Sequence, residues 1–499
     1  MHDLAGSQSD LPVERDARLR WASISGAAFF FFALISYNFV DIDIWHQMAL
    51  IRESLLAGHL LRTDPFAYTP TLAPWIDHEW GAGAIAYFAT RWLGGRALLI
   101  LKFLLAAGTG ALCWRCAAKL GADFRITSLC APLAAFLAYL GFFATIRAQV
   151  YSFFFTALLI LFWQKVDVRP RAALFGWMLA FLLWVNLHGG FVVAIGLTAL
   201  YCIEKALRGE DYRRLLAALL AVMLLVFLTP YRSSYFGYLR RALWMARPYA
   251  PEWRPVGDLG AVWVTCFLLA VGVIVHAVAS VGVRKTPGIL ALAATAGEAA
   301  LHRKLLPVFA VVWLCYAPSY LQHTRVGKWL LEFSQRRRRF VLAAWSVLAA
   351  VSVVAAVRQK PWDLRVPQPI YPVGAVEYLG EQRFQGNVLV PFRLGAYVSW
   401  KLYPAVKVSL DGRYEEVYSD HLMREIFNFY EAGLGWRSTL DAYPTDAVLA
   451  PRDSPVCDKM SETLWVPAYQ DKDFVLYVKP GRSLKVQDDR TRSFAGVFP

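Results

Sequence analysis

Residues 21–40 read WASISGAAFFFFALISYNFV, and the acidic segment DIDIWH follows at residues 41–46. A helix needs about 20 apolar residues to cross the hydrocarbon core of a bilayer, and this run supplies them. Arg15, Arg18 and Arg20 precede the run, which is too long for a signal-peptide core and lacks a small-residue cleavage site. We therefore interpret it as an uncleaved first membrane span.

The composition extends this interpretation to most of the chain. Hydrophobic residues make up 57%, charged residues only 18%, and the mean hydropathy is +0.40, which is typical of a membrane protein. Apolar runs separated by short charged loops predict about eleven transmembrane helices, at about 21 to 40, 97 to 117, 126 to 146, 150 to 165, 172 to 187, 190 to 206, 213 to 229, 261 to 283, 287 to 301, 304 to 322 and 340 to 357.

The distribution of basic residues predicts the orientation of these spans. Lys and Arg concentrate in cytoplasmic loops, and the alternate loops of this pattern carry such residues. The N-terminus is then cytoplasmic, and an odd number of spans places the C-terminal region outside, in the periplasm if the membrane is a bacterial inner (plasma) membrane. The net charge of +15 is thus accounted for by topology, and we expect no nucleic-acid partner.

Four regions follow from this topology. Residues 1–20 form the cytoplasmic N-terminus, and residues 21–358 form the transmembrane domain. Residues 41–96 of that domain form a first outer loop with interfacial helices, since the segment 80–93 is too short to span. Residues 359–499 alternate short apolar strands with helical stretches, which predicts a small α/β domain.

Acidic residues cluster where the first span ends. Asp41 and Asp43 stand beside His46, and the same loop continues to His78 and Glu79. Acids at an outer helix exit can simply mark an outer loop. Alternatively, a carboxylate there can take a proton from an acceptor hydroxyl, or Asp41, Asp43 and Glu79 can hold a divalent cation such as Mg²⁺ or Mn²⁺.

Several cations fall on the outer side, against the usual charge rule. Interfacial arginines can snorkel to lipid headgroups, but a cluster at one face also suits the phosphate of a lipid-linked substrate. Outer polar residues accompany them, with helix capping an alternative for His188. The candidates for donor phosphate and substrate binding are Arg147, Gln149, His46, His78, Glu79, Asn186, His188, Arg303 and Lys304, with Arg232, Arg240, Arg241 and Arg247 on the same side.

The C-terminal domain has one dense polar and aromatic cluster, which includes Asp411-Gly412-Arg413. Asp-Gly is first of all a turn signal, so a turn with a local ion pair is one interpretation of Asp411 and Arg413. Binding of the acceptor substrate is the other. The chain contains no phosphate-binding glycine loop, which argues against a nucleotide-sugar donor bound in a nucleotide-binding fold.

Together these segments resemble the GT-C superfamily of membrane glycosyltransferases, in particular a poorly characterised bacterial branch related to protein O-mannosyltransferases and aminoarabinose transferases. The resemblance covers most of the chain. Its pieces are Asp41-Ile-Asp43-Ile-Trp45-His46, Thr63-Asp64-Pro65-Phe66-Ala-Tyr68-Thr69, His78-Glu79-Trp80, Arg147-Ala-Gln149, Asn186-Leu-His188-Gly189-Gly190 and Asp411-Gly412-Arg413-Tyr414.

This resemblance implies an activity. In that superfamily an acidic residue at the start of the first outer loop acts as catalytic base or orients the acceptor, a role that maps onto Asp43, with Asp41 its neighbour. The donor is typically a sugar on a polyprenyl phosphate, and transfer inverts the anomeric centre. The chain departs from the pattern in lacking a clear second acid near Arg147, so Asp77 or Glu79 is a candidate to replace it.

Two other classes of function remain open. A transporter or flippase of lipid-linked sugars would also carry polar residues within the membrane, but it should show inverted repeats and broken helices, neither of which is clear here. A non-catalytic assembly scaffold is the third interpretation. The sequence also leaves open whether the acceptor is a lipid, a glycan or a protein.

Overall fold

The computed structural model describes residues 10–245, 247–482 and 484–499. Its helices are α1 Asp10–Leu34, α2 Ile42–Ala57, α3 Trp80–Leu93, α4 Arg96–Lys119, α5 Phe124–Ala138, α6 Gln149–Val166, α7 Pro170–Leu187, α8 Phe191–Leu207, α9 Arg213–Leu225, α10 Ser234–Trp244, α11 Ala261–Val281, α12 Ile289–Leu301, α13 Leu306–Leu321, α14 Arg325–Arg336, α15 Arg338–Arg358, α16 Val373–Glu381, α17 Gly395–Leu402, α18 Tyr414–Val417, α19 Asp420–Tyr430, α20 Ser438–Ala442 and α21 Val456–Met460. The strands are β1 Val366–Pro367, β2 Gly386–Leu389, β3 Val406–Val408, β4 Ala447–Pro451, β5 Val466–Gln470, β6 Phe474–Val478, β7 Gln487–Asp488 and β8 Ala495–Gly496.

The chain forms two compact units. The helical unit comprises Met1–Asn38, Leu99–Leu228 and Ala246–Asp363. The sheet unit comprises Phe39–Leu98, Thr229–Met245 and Leu364–Pro499. The first outer loop therefore folds with the C-terminal region, a grouping that the division by sequence pattern did not make.

The protein is a multi-pass membrane protein. Within the described residues, seven helices are long and apolar enough to cross a membrane: Arg96–Lys119, Phe124–Gly141, Gln149–Val166, Pro170–Leu187, Ala261–Val281, Arg303–Leu321 and Arg338–Arg358. Each coincides with a predicted span. The other four predicted spans also lie on helices, namely α1, α8, α9 and α12, which are shorter or carry charged residues, and they stay predicted spans.

Helix α13 forms the core of the helical unit. Every one of its residues from Leu306 to Leu321 is buried, and it packs against α5, α6, α11 and α12. A helix that is apolar on all faces belongs in the interior of a bundle. By contrast, α15 packs on α1 and leaves Val347, Val351 and Val354 exposed, as expected for a span that faces lipid.

The sheet unit contains a six-stranded mixed sheet in the order β3-β2-β4-β6-β5-β7. Strand β2 pairs in parallel with β3 and β4, while β6 runs antiparallel to both β4 and β5. Strands β1 and β8 form a separate antiparallel pair. The predicted small α/β domain is thus confirmed.

The first outer loop adds to this sheet at the free edge of β3. The amide of Tyr68 donates to the carbonyl of Val408 at 3.0 Å, and the amide of Val408 donates to Phe66 at the same distance. Helix α2 packs on α3 and α17, with the fully buried Trp45 meeting Tyr397 edge to face at 5.0 Å. These contacts hold the loop and the C-terminal sheet as one body.

Candidate functional site

The acidic segment that follows the first predicted span starts helix α2. Asp41 is the N-cap residue, and its side chain accepts a hydrogen bond from the amide of Asp43 at 3.0 Å. Aspartate is a favoured N-cap because its carboxylate satisfies an amide that the helix leaves unpaired. Asp43 lies in the first turn, half-buried, where the helix dipole stabilises negative charge. The two acids therefore have different roles, with Asp41 capping the helix.

The turn Asp411-Gly412-Arg413 packs directly against Asp43 and His46. A Cβ atom built on Gly412 would lie 3.2 Å from Oδ1 of Asp43 and 3.8 Å from Nδ1 of His46. The turn follows β3, at the carboxyl ends of the parallel strands, where α/β sheets usually place their ligand crevices. Glycine leaves space beside the Asp43 carboxylate that any other residue would fill.

Arg413 is the centre of a buried ion triad. Its guanidinium makes a bidentate contact with Asp411, with Nη2 at 2.7 Å from Oδ2, and Nη2 also lies 2.6 Å from Oδ1 of Asp64. All three side chains are fully buried. The rings of Phe66 and Trp75 lie at 5.4 and 5.3 Å from the guanidinium carbon, within cation–π range.

This position gives the Asp411 and Arg413 pair a structural role. The triad joins the first outer loop to the turn after β3, and it engages the guanidinium with two carboxylates rather than presenting it to a substrate phosphate. The predicted turn with a local ion pair is present, and Asp64 extends it. Burial opposes ionisation of Asp411, but the adjacent Arg413 holds the pKa of that carboxyl below its ordinary value.

Two further groups in the sheet unit, His46 beside Asp43 and Asp77 in the first outer loop, are buried. Burial lowers the pKa of His46 below 6.5, against the opposing effects of Asp43 and Asp411, so the imidazole is uncharged at neutral pH. Burial raises the pKa of Asp77 to about 6, although its side chain accepts the amide of Glu79 at 3.0 Å. Asp77 thus carries a carboxyl that exchanges a proton near physiological pH.

Glu79 and His78 lie at the start of α3 in a polar network. The Gln47 amide donates to Glu79 Oε2 at 2.5 Å, and His78 Nε2 lies 3.4 Å from Glu79 Oε1. The His78 ring stacks on Tyr238 of α10, with centroids 5.0 Å apart. Gln47 lies one turn along α2 from Asp43, so this network borders the Asp43 site from the α3 side.

The three candidate metal ligands do not form a metal site. Within the described part of the chain, no group of three or more His, Cys, Asp or Glu side chains is placed to hold a metal ion. Asp41 caps α2, and Glu79 engages Gln47. In this arrangement Asp41 and Glu79 are therefore each engaged with a protein group.

The helical unit carries a separate basic cluster, defined by Arg147, Glu252 and Lys304. Arg147 Nη2 lies 3.3 Å from one Glu252 oxygen, and Lys304 Nζ lies 2.5 Å from the other. Burial would raise the pKa of Glu252, but Lys304 and Arg147 lower it to about 2. Trp253 lies beneath both Lys304 and Arg247, at 5.1 and 4.4 Å. One permanent anion therefore holds two cations together.

The remaining predicted residues of the helical unit are dispersed around this cluster. Arg303 precedes Lys304, and its amide donates to the carbonyl of Arg254 at 2.9 Å. Gln149 begins α6, two residues after Arg147. The side-chain amide of Asn186 donates to the carbonyl of Leu182 within its own helix.

His188 belongs to a network of its own at the end of α7. Its Nδ1 accepts the amide of Gly190 at 3.0 Å and lies 2.7 Å from the Ser152 hydroxyl, which accepts the Trp184 indole N–H at 2.6 Å. An Nδ1 that accepts an amide proton fixes the neutral tautomer with its proton on Nε2. Ser152 and Trp184 thus orient a residue that the sequence pattern had singled out alone.

Glu252 is a residue of the candidate site that the sequence pattern did not single out. It lies in the segment Pro251-Glu252-Trp253-Arg254-Pro255, close to cations that the predicted topology places outside, and that charge pattern was the available signal. It supplies an acid beside Arg147, although its two ion pairs commit it to charge compensation.

An apolar cavity of about 440 Å³ lies within the helical unit. It extends along α1 from Ile24 to Phe32, which corresponds to about 12 Å of helix, and it is also lined by α4, α5 and α13. Phe142, five residues before Arg147, lines one part of it. The cavity has the length and chemistry to hold a hydrocarbon chain.

No family model matches the sequence, and no curated protein matches it. Solved structures do resemble it. ArnT, the aminoarabinose transferase, from Cupriavidus metallidurans in the apo state matches with a TM-score of 0.54 at 14% identity, covering 90% of this chain and 95% of that one. The Archaeoglobus fulgidus oligosaccharyltransferase, crystallised with a tethered acceptor peptide, matches with a TM-score of 0.55 at 12% identity, covering 85% and 68%.

Both neighbours are GT-C glycosyltransferases. Identities this low show a shared fold, and the protein therefore has the GT-C fold with a small C-terminal sheet domain.

Proposed function

We propose that this protein is a membrane glycosyltransferase that moves a sugar from a polyprenyl-phosphate-linked donor to an acceptor hydroxyl, with inversion, at the outer face of the inner membrane. The observation that carries the proposal is the site at the start of α2, where Asp43 lies half-buried beside Gly412 on a GT-C fold. The topology predicted from the charge pattern places both this site and the basic cluster on the outer side.

Asp43 is suited to take the acceptor proton. The acceptor oxygen attacks the anomeric carbon of the donor, its proton passes to the Asp43 carboxylate, and the bond from that carbon to the phosphate oxygen breaks. His46 beside it is neutral, so it contributes no positive charge that would oppose proton transfer to the carboxylate. Among the neighbouring acids, Asp41 is a helix cap and Asp411 is paired with Arg413.

The leaving phosphate gains negative charge, and cations placed there lower the barrier. Arg147 and Lys304 are the cations for this role because Glu252 holds them together, and Arg303 adjoins them. When a phosphate binds, it adds a second anion to two cations that share one carboxylate. The apolar cavity would hold part of the polyprenyl chain.

The acceptor class is proposed from chemistry alone. The first step requires a group with a proton that a carboxylate can accept, which lipid, glycan and protein hydroxyls all provide. The Archaeoglobus neighbour was crystallised with a peptide acceptor, so protein fractions belong in the assay beside lipid and glycan fractions.

The test is transfer of radiolabelled sugar from a panel of polyprenyl-phosphate sugars by the full chain in proteoliposomes. We expect Asp43→Asn to reduce transfer at least about 100-fold, since loss of a general base costs 10²–10⁴-fold. Asp41→Asn is the matched control, because asparagine caps a helix as well as aspartate, and it should retain activity within about threefold.

Two results would contradict the proposal. Undiminished transfer by Asp43→Asn would show that Asp43 is not the base. No label from any donor, together with intact movement of the same lipids across the bilayer, would favour a flippase instead.

A further inference from the structure

A second cavity, of about 320 Å³, lies in the helical unit between the ends of three spanning helices. It lies at the C-terminal ends of α4 and α6 and at the start of α7. By comparison, a water molecule occupies about 30 Å³ in the liquid, so the cavity has room for a polar headgroup. Its lining residues are Arg115, Lys119, Phe162, Lys165, Val168, Arg169, Ala172 and Ala173.

Four of these eight lining residues are cations, contributed by two helices and the loop between α6 and α7. Arg115 and Lys119 lie one turn apart on α4, and Lys165 and Arg169 flank the end of α6. Ala172 and Ala173 belong to the first turn of α7, an 18-residue helix whose unpaired amides favour a bound anion. Side-chain charge and helix dipole therefore act in the same direction.

This positive charge has no internal counterion. Throughout the described ranges, no ion pair joins any of the four cations to a carboxylate. Asp167 is the acid nearest in sequence, but its carboxylate lies 2.8 Å from Lys205 on α8. The basic cluster differs in this respect, because Glu252 supplies a carboxylate to both Arg147 and Lys304 there.

We propose that this cavity binds the phosphate headgroup of an anionic phospholipid. Basic pockets between spanning helices are suited to such headgroups, and four cations can neutralise the two phosphodiesters of cardiolipin or the single one of phosphatidylglycerol. Exposed apolar side chains accompany the pocket, namely Val168 in the loop before α7, 78% exposed, and Phe175 on α7, 67% exposed, and these suit acyl chains. The site is separate from the Arg147 cluster, and the proposal does not depend on glycosyl transfer.

Native mass spectrometry of the full chain, released from vesicles of phosphatidylcholine with cardiolipin or phosphatidylglycerol, tests this proposal. Wild type should retain the anionic lipid over phosphatidylcholine. Arg115→Gln with Lys165→Gln should reduce that retention about tenfold or more. The matched control, Arg337→Gln with Arg339→Gln, removes the same charge at the start of α15 and should retain lipid like wild type.

The outcomes separate a lipid site from its alternatives. Equal loss of lipid in the control pair, or undiminished retention in both Arg115→Gln with Lys165→Gln and Lys119→Gln with Arg169→Gln, would overturn the proposal. Displacement of the lipid by millimolar inorganic phosphate or pyrophosphate would identify a site for soluble anions instead. Unchanged thermal unfolding of the variants would show that lost retention is not lost folding.

Discussion

Asp411 and Asp77 are both buried aspartates of the sheet unit, yet their pKa values move in opposite directions. The pKa of Asp411 is held below its ordinary value because Arg413 lies at hydrogen-bond distance. The pKa of Asp77 rises to about 6 because burial outweighs the opposing effects of His78, of the Glu79 amide and of Arg413, which forms no ion pair with it. The comparison shows that a neighbouring cation, rather than burial itself, decides whether a carboxylate holds the structure or exchanges protons.

Asp43 lies between these two environments. It is half-buried, it borders the turn that carries Asp411, and a neutral histidine stands beside it. The buried ion triad of Asp64, Asp411 and Arg413 flanks Gly412, and the half-buried Asp43 carboxylate borders the same glycine. Under the proposed function, the buried Asp411–Arg413 pair would fix the turn beside the Asp43 carboxylate, and a catalytic base needs such fixed surroundings.

The largest loss of stability should follow removal of Arg413, the cation of the buried ion triad. Arg413→Ala leaves Asp64 and Asp411 buried together without compensation, and breaking such a pair costs about 3–5 kcal/mol. We expect little folded protein, or a strongly lowered thermal unfolding midpoint in detergent. The measurement is the yield of monodisperse protein and its unfolding curve.

Arg393→Ala provides the control for this change, because Arg393 is exposed in the same unit. It should unfold like wild type. If Arg413→Ala instead folds with wild-type stability and loses only activity, Arg413 binds a substrate group, as the alternative interpretation of the sequence holds.

Replacing Asp77 should change the stability in the opposite direction, by raising the free energy of unfolding at neutral pH. Unfolded, its carboxyl titrates near 3.8, and folded near 6, so the unfolded state loses its proton first as the pH rises. The protonated Asp77 carboxyl therefore makes its full contribution to the free energy of unfolding below about pH 4. That contribution declines between pH 4 and 6. Asp77→Asn should remove this loss and stabilise the protein at pH 7 by about 3 kcal/mol, measured as unfolding midpoints from pH 4 to 7.

Asp441→Asn serves as the comparison variant, since Asp441 is exposed at the start of α20. Its pH profile should match that of wild type. A parallel decline of Asp77→Asn and wild type between pH 4 and 6 would mean that another group causes the dependence.

Local patterns were enough to predict much of the fold. The eleven apolar runs all overlap helices, and the region predicted to alternate strands with helical stretches contains the six-stranded sheet. The helix at Ile42–Ala57 has no amphipathic pattern, because its apolar residues lie on all sides. Its start signal is the N-cap Asp41, a residue that is equally suited to a catalytic role.

The site depends on contacts that have no local signature. Glu252 meets Arg147 across 105 residues of sequence, and the Asp64 motif meets Arg413 across a still longer separation. The sequence pattern identified the individual segments around Asp43, Asp64 and Asp411, but not that they fold together. Charge compensation of this kind depends on tertiary structure, so it becomes visible only when the partners are placed in space.

The smallest expected effect, on the rate of sugar transfer, comes from changing Gly412, which lies between the buried ion triad and Asp43. Gly412→Ala places a Cβ 3.2 Å from Asp43 Oδ1, so the carboxylate must move by a few tenths of an ångström. We expect kcat for sugar transfer to fall about tenfold with little change in the unfolding midpoint, because small displacements of reacting groups are costly.

Gly380→Ala isolates this effect, since a Cβ there meets only Leu402, at 3.9 Å. It should leave both transfer and stability unchanged. Full activity in Gly412→Ala would mean that the reacting oxygen does not depend on the space beside Gly412, and the base would then have to be sought away from the Asp411 turn, with the Asp77 carboxyl the next group to test.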